Sequence, residues 1–193
     1  MTGWGRKGAV SIILREHQQL TTAIGGMLQF VRLRENGSTA PGLAVLRSIL
    51  YYIREYPERV HHPKEERYLF ARIRARTTEI DDVLNDLDRQ HAEGEAKVRE
   101  LEDALTRYEL TGISALPALS SRVQEYVTFY ANHRRIEEDV VLPVALRTLI
   151  AEDWAEVDAA FGANRDPFEG VELEDDLDKL YRMIANIIPE VRT

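Results

Sequence analysis

Cysteine is missing altogether from the 193 residues. Its absence removes disulfides, thiolate metal ligands, iron–sulfur clusters and thiol catalysis together. A chain without disulfides suits a reducing compartment. Proline and glycine are sparse, at seven and eleven, which permits long helices. Positive charge is in deficit: 25 Lys and Arg face 33 Asp and Glu, for a net charge of −8. Nucleic acid is therefore not an expected partner, because phosphate-binding surfaces are usually basic. Long apolar runs are also lacking. The stretch AVSIIL, between Arg6-Lys7 and Arg15-Glu16, is too short for a signal-peptide core or a membrane span. The expectation is a cytoplasmic protein with nothing cleaved and no membrane contact. What is present is ordinary for a soluble globular chain: 44% hydrophobic and 30% charged residues, in a length that fits one domain with a real core.

Helical periodicity runs through most of the chain. Residues 9–35 carry Val10, Ile13, His17, Leu20, Ile24, Met27 and Val31 on one stripe. After a loop from Asn36 to Gly42, a second helix carries Leu46, Leu50, Ile53, Pro57, His61, Glu65, Leu69 and Ile73. Pro57 and Pro63 should kink or break it, since each lacks a donor and crowds the preceding turn. A capped start at Thr77–Asp81 opens a third helix, running to about Leu110, with Leu84, Leu87, His91, Glu95, Val98 and Leu105 inward. A fourth spans 117–149, with Val123, Tyr126, Tyr130, His133, Glu137 and Val144 on its seam. Beyond it, 152–161 and 173–188 read as two shorter amphipathic helices. The fold class expected is all-α: an up-down-up-down four-helix bundle over residues 1–150, with a two-helix C-terminal extension over 151–193 packed on it.

The stretch VHHPKEERYLF, residues 60–70, sets the functional reading. His61 stands four residues before Glu65, so both side chains share one face of a helix. The same spacing recurs at His91/Glu95 and His133/Glu137, and His17 lies alone on the first stripe. A buried carboxylate is costly unless paired or coordinated, and three carboxylates with four histidines that can converge call for one explanation. The histidines are 44, 30 and 42 residues apart. That long-short-long alternation suits a bundle with its site nearer one end. A link of 30 residues leaves two arms of roughly 18 Å and a small loop. The candidate metal ligands are His17, His61, Glu65, His91, Glu95, His133 and Glu137. For Glu95 the alternative is a solvated residue beside Gly94. His62 and Glu66 point about 100° away from the seam and are expected in an outer or surface role, although Pro63 leaves open a shift of register that swaps the two pairs. Imidazole and carboxylate without thiolate suit iron, manganese or zinc. Two carboxylates on facing helices can bridge two ions.

The motifs HHPKEERYLF, QHAEGE and NHRRIEEDVVLP resemble those of the hemerythrin-like, or HHE cation-binding, family of bacterial type, over about residues 10–149. The resemblance implies a four-helix bundle with an oxo- or hydroxo-bridged centre of two iron ions. It makes His17, His61, His91 and His133 terminal ligands and Glu65 and Glu137 bridging carboxylates. Two departures stand out. Where oxygen-carrying members have a fifth histidine, one turn after the helix-three histidine, this chain has Glu95. Where they carry an aspartate at a five-residue step, it has Glu137 at four. An added carboxylate ligand would favour the ferric state and weaken reversible oxygen carriage. The function expected is a metal-binding protein that binds or senses oxygen, nitric oxide or a small anion, in a chain that could pair as a homodimer. The alternative is a di-iron enzyme with oxidase, peroxidase or iron-handling chemistry, including repair of iron–sulfur proteins.

Overall fold

Most of the sequence reads as helix because apolar residues return every three or four positions, and the computed structural model, which describes residues 8–40 and 42–162, is helical over most of those residues. Among the described residues there is no strand, and four long helices dominate. The first, α1, is Gly8–Glu35. The second is built in pieces: α2 (Leu43–Glu55), a wide π-helical turn π1 (Pro57–His61), α3 (His62–Lys64), a second wide segment π2 (Glu65–Phe70), and α4 (Ala71–Arg76). The third, α5, is Asp81–Thr111. The fourth comprises α6 (Leu116–Ile136), π3 (Glu137–Val141) and α7 (Leu142–Thr148). A last short helix, α8, is Ala151–Gly162. The expected helix over 173–188 lies outside the described residues.

The π segments follow from the sequence. On the second helix the inward residues Ile53, Pro57, His61, Glu65, Leu69 and Ile73 are all buried. They follow one another in steps of four. Each such step overshoots an ideal α-helical turn by about 40°, so five in succession would carry the stripe about 200° round the rod. Wider turns remove the overshoot. Proline helps to place them: π1 ends two residues before Pro63, and π3 ends two residues before Pro143. Each proline would crowd the carbonyl four residues back, and an i−5 bonding pattern relieves this. His62 N–H bonds to the Pro57 carbonyl, and Leu142 N–H to that of Glu137. The expected break at these prolines is thus a local widening.

Turns at the helix ends use glycine where the backbone requires it. Gly37, at φ +65°, and Gly112, at φ +71°, close α1 and α5 in the left-handed half of the map, which other residues rarely enter. The start of α5 sits later than Thr77: the Thr77 hydroxyl accepts from Glu79 N at 3.1 Å, and regular helix begins at Asp81.

The apolar core is split in two. One cluster holds Leu20 to Val31 of α1, Leu46 to Ile53 of α2, Val98 to Tyr108 of α5 and Leu116 to Tyr130 of α6. The other holds Ala9 to Ile13, Leu69 to Ile73, Ile80 to Leu87, Val141 to Leu149, and Trp154 to Phe161 of α8. On every long helix the gap between the two clusters is filled by polar residues: His17, His61 to Glu65, His91, and His133 with Glu137. These four gaps meet at one level.

A candidate metal centre

Seven side chains fill that level, and all are buried: His17, His61 and Glu65 are 1% exposed, His133 and Glu137 2%, His62 and His91 6%. They fall into two groups whose ligand atoms lie within 4.8 Å of one another, His17, His61, Glu65 and Glu137 in one and His62, His91 and His133 in the other. The two carboxylates reach both. Glu65 Oε1 lies 3.3 Å from His61 Nε2 and 3.9 Å from His17 Nε2, while its Oε2 lies 3.8 Å from His91 Nε2. Glu137 Oε2 lies 3.2 Å from His17 Nε2, while its Oε1 lies 3.2 Å from His133 Nε2 and 3.7 Å from His91 Nε2.

The Nε2 atom of every histidine in the chain is buried without a hydrogen-bond partner, as are Glu65 Oε2 and both oxygens of Glu137. A buried polar atom left unsatisfied costs about 1–3 kcal/mol. Eight in one layer require a common partner, and a cation is the partner that both imidazole nitrogen and carboxylate oxygen accept. The residues therefore fit a metal. A family model, the hemerythrin HHE cation-binding domain, matches residues 8–145. The chain belongs to that family. Comparison with curated proteins and with solved structures gives no match.

Around this cation-binding hemerythrin HHE domain runs an outer ring of acceptors that fixes the tautomers. His17 Nδ1 donates to Glu138 at 3.0 Å, His61 Nδ1 to Glu16 at 2.7 Å, His91 Nδ1 to Glu66 at 2.7 Å, and His133 Nδ1 to Gln90 at 3.1 Å. Glu16 is itself held by the Tyr56 hydroxyl at 2.6 Å. His62 Nδ1 lies 3.4 Å from Glu58 Oε2 without a hydrogen bond between them. With Nδ1 engaged on the other four rings, their Nε2 atoms are left to turn a lone pair toward the centre.

Charge in the layer is set by burial and by these neighbours. Burial pushes His91 down, but Glu137, Glu65 and Glu66 outweigh it and hold it at about 9. His61 is held well above its ordinary value, against burial, by Glu65 and Glu16, and His17 is raised by Glu137 and Glu138 in the same way. Burial, together with the adjoining His91, His61 and His133, pushes His62 well below. Burial opposes ionisation of Glu137, yet His133, His17 and His91 keep it well below the usual carboxylate range. Glu58, buried with little compensation, is pushed up to about 7.

Of the residues predicted from sequence, His17, His61, Glu65, His91, His133 and Glu137 come together in this layer. Glu95 does not join them. Its carboxylate is 60% exposed and accepts from Arg99 at 2.7 Å. Buried positions on α5 run Leu84, Leu87, His91, Gly94, Val98, Leu101 and Leu105, alternating steps of three and four. The inward position after His91 is therefore Gly94, and the four-residue step to Glu95 leads out of the core. Gly94 faces the Glu58 carboxylate; a Cβ there would stand 3.1 Å from Glu58 Oε1. His62, expected outside, is inside instead. Its ring stacks on His91 at 4.1 Å and meets His133 edge-on at 5.3 Å. The signal for it was the pair of prolines flanking His61-His62, which widen the helix so that consecutive residues both face inward. Glu66 takes an outer place, on His91. Tyr126 and Tyr130 are core residues, and the Tyr130 hydroxyl donates to the His17 carbonyl at 3.4 Å. No described helix is long and apolar enough to cross a membrane.

Proposed function

We propose that the layer holds two metal ions bridged by Glu65 and Glu137, with His17 and His61 on one and His62, His91 and His133 on the other. The observation that carries this reading is the division of each carboxylate, one oxygen toward each histidine group. The all-nitrogen-and-oxygen donor set, rich in imidazole, suits iron, with zinc or manganese as the alternatives. When bound, such a pair supplies an open coordination position and accessible redox states. The protein's own part is to present neutral imidazoles, to balance two carboxylates against the cations, and to exclude bulk water through the two apolar clusters.

His17 and His61 would supply their ion with fewer imidazoles than His62, His91 and His133 supply its neighbour, which would leave room beside it for oxygen, nitric oxide or a small anion. With Glu95 outside and His62 inside, the donor set carries five imidazoles and two carboxylates, so the argument against reversible oxygen carriage from an added carboxylate loses its basis. The proposal includes an up-down-up-down bundle over residues 1–150 with an extension over 151–193, working in the cytoplasm. Iron analysis of protein from iron-replete cells tests it, with azide added while the absorption spectrum is followed. Two irons per chain and an azide-dependent band are expected. One iron, or a spectrum indifferent to azide, refutes it, and sustained peroxide turnover would move the reading to an enzyme.

A further inference from the structure

The family match stops at residue 145, yet the wall of the centre does not. Three histidines of the layer have a phenylalanine ring beside them: Phe70 stacks on His91 at 5.9 Å, Phe129 on His133 at 6.2 Å, and Phe161 meets His61 edge-on at 6.3 Å. Phe70 and Phe129 belong to the matched bundle. Phe161 is the penultimate residue of α8 and is 0% exposed. It stands against the group with the fewer histidines.

Helix α8 is fastened at several points. Trp154, Val157 and Phe161 are buried in the cluster shared with α1, α4, π2 and α7. Asp158 accepts from Ala9 N at 2.8 Å, binding α8 to an orphan donor in the first turn of α1. Arg76 forks onto Asp153 at 2.7 and 3.1 Å, and Arg72 pairs with Glu156. The helix packs on α1 and on π2, the elements that carry His17 and Glu65. It thus covers the seam between the first and second long helices at the depth of His61.

We infer that α8 is the seal of the His17/His61 half of the centre, and that Phe161 is a specificity-determining residue that restricts what reaches that half to small molecules. The inference rests on the two-ion reading for what it seals, though not for whether it seals. Displacing the Phe161 ring opens a path beside His61 and leaves His62, His91 and His133 behind Phe70 and Phe129.

Two measurements test this on the full chain. In the metal-free protein, deuterium exchange at histidine Cε1, read by mass spectrometry, reports solvent access ring by ring. Phe161→Ala is expected to speed exchange at His61 by about tenfold, with His62 and His133 changed by less than about twofold, as for an opening confined to one element. In the iron-loaded protein, release to ferrozine under reductant should gain a fast phase holding half the iron. Arg72→Gln with Arg76→Gln loosens α8 without emptying the core and should act in the same direction, which keeps the test valid if Phe161→Ala does not fold. Unchanged exchange at His61, or equal acceleration at all five rings, overturns the seal. A wild-type chain holding fewer than two irons would instead overturn the two-ion reading, with the His61 exchange still deciding the role of α8.

Discussion

Raising the pH of the metal-free protein from 6.5 to 9 should destabilise it, and the size of the effect follows from His91. An unfolded histidine titrates near 6.5. In the fold His91 titrates at about 9, because Glu137, Glu65 and Glu66 outweigh its burial. Between those values the native state holds a proton that the unfolded chain has lost. The stabilisation is complete below pH 6.5 and disappears as pH rises through about 9. The shift corresponds to about 3 kcal/mol at 1.36 kcal/mol per unit. His17 and His61 are raised as well and act in the same direction. Glu58, raised to about 7 from an ordinary 4.5, loses its share between those values and does not reverse the trend. His62 is lowered, so its contribution is lost only as pH falls below 6.5. For a domain of this size about 3 kcal/mol moves Tm by roughly 6–12 °C. Bound cations reverse the slope, since metal and proton compete for the same Nε2 atoms. The assay is a set of thermal melts at pH 6.5, 7.5, 8.5 and 9, on chelator-treated and on iron-loaded protein. A metal-free Tm that is flat or rises across this window, or a gap between loaded and metal-free protein that narrows with pH, refutes the assignment of charge in the layer.

Other perturbations separate the parts. His62→Ala should lower metal content from two ions to one, while Glu95→Ala leaves both in place; elemental analysis of the two variants decides. Glu66→Gln weakens the acceptor on His91 Nδ1 and should lower affinity for one ion by about 10–100-fold, as outer-shell changes do, measured by competition with a chromogenic chelator. Pro63→Ala removes the clash that helps to widen the second helix, so His62 should turn outward and the second ion bind more weakly in the same competition. An unchanged second affinity would show that the wide turn of π1 does not depend on Pro63.

Much of this was legible beforehand, for identifiable reasons. The stripes of α1 and α6 follow alternating steps of three and four, and their periodicity places His17, His133 and Glu137 on the inward face. The i,i+4 pair His61/Glu65 was also plain. Glu95 misled because a four-residue spacing from a histidine is a local pattern, whereas the inward face of α5 is decided over its whole length, and there Gly94 takes the position. His62 is hidden from a reading at 100° per residue because the turn between two prolines is wider than that. The outer acceptors Glu16, Glu138, Gln90 and Glu58 reach their histidines mostly across helices, and no one-dimensional spacing announces such contacts.

Because the apolar interior comes as two separate bodies with an ionisable waist between them, cations bound there would act as a rivet. With the rivet in place, the upper and lower bodies must melt as one. Without it the waist is joined only by imidazolium–carboxylate pairs that are lost as the pH rises, and the two bodies are tied more loosely. Metal loss should then broaden the calorimetric transition and drive the van't Hoff enthalpy below the calorimetric one, so that the cofactor governs how sharply the molecule unfolds as much as when.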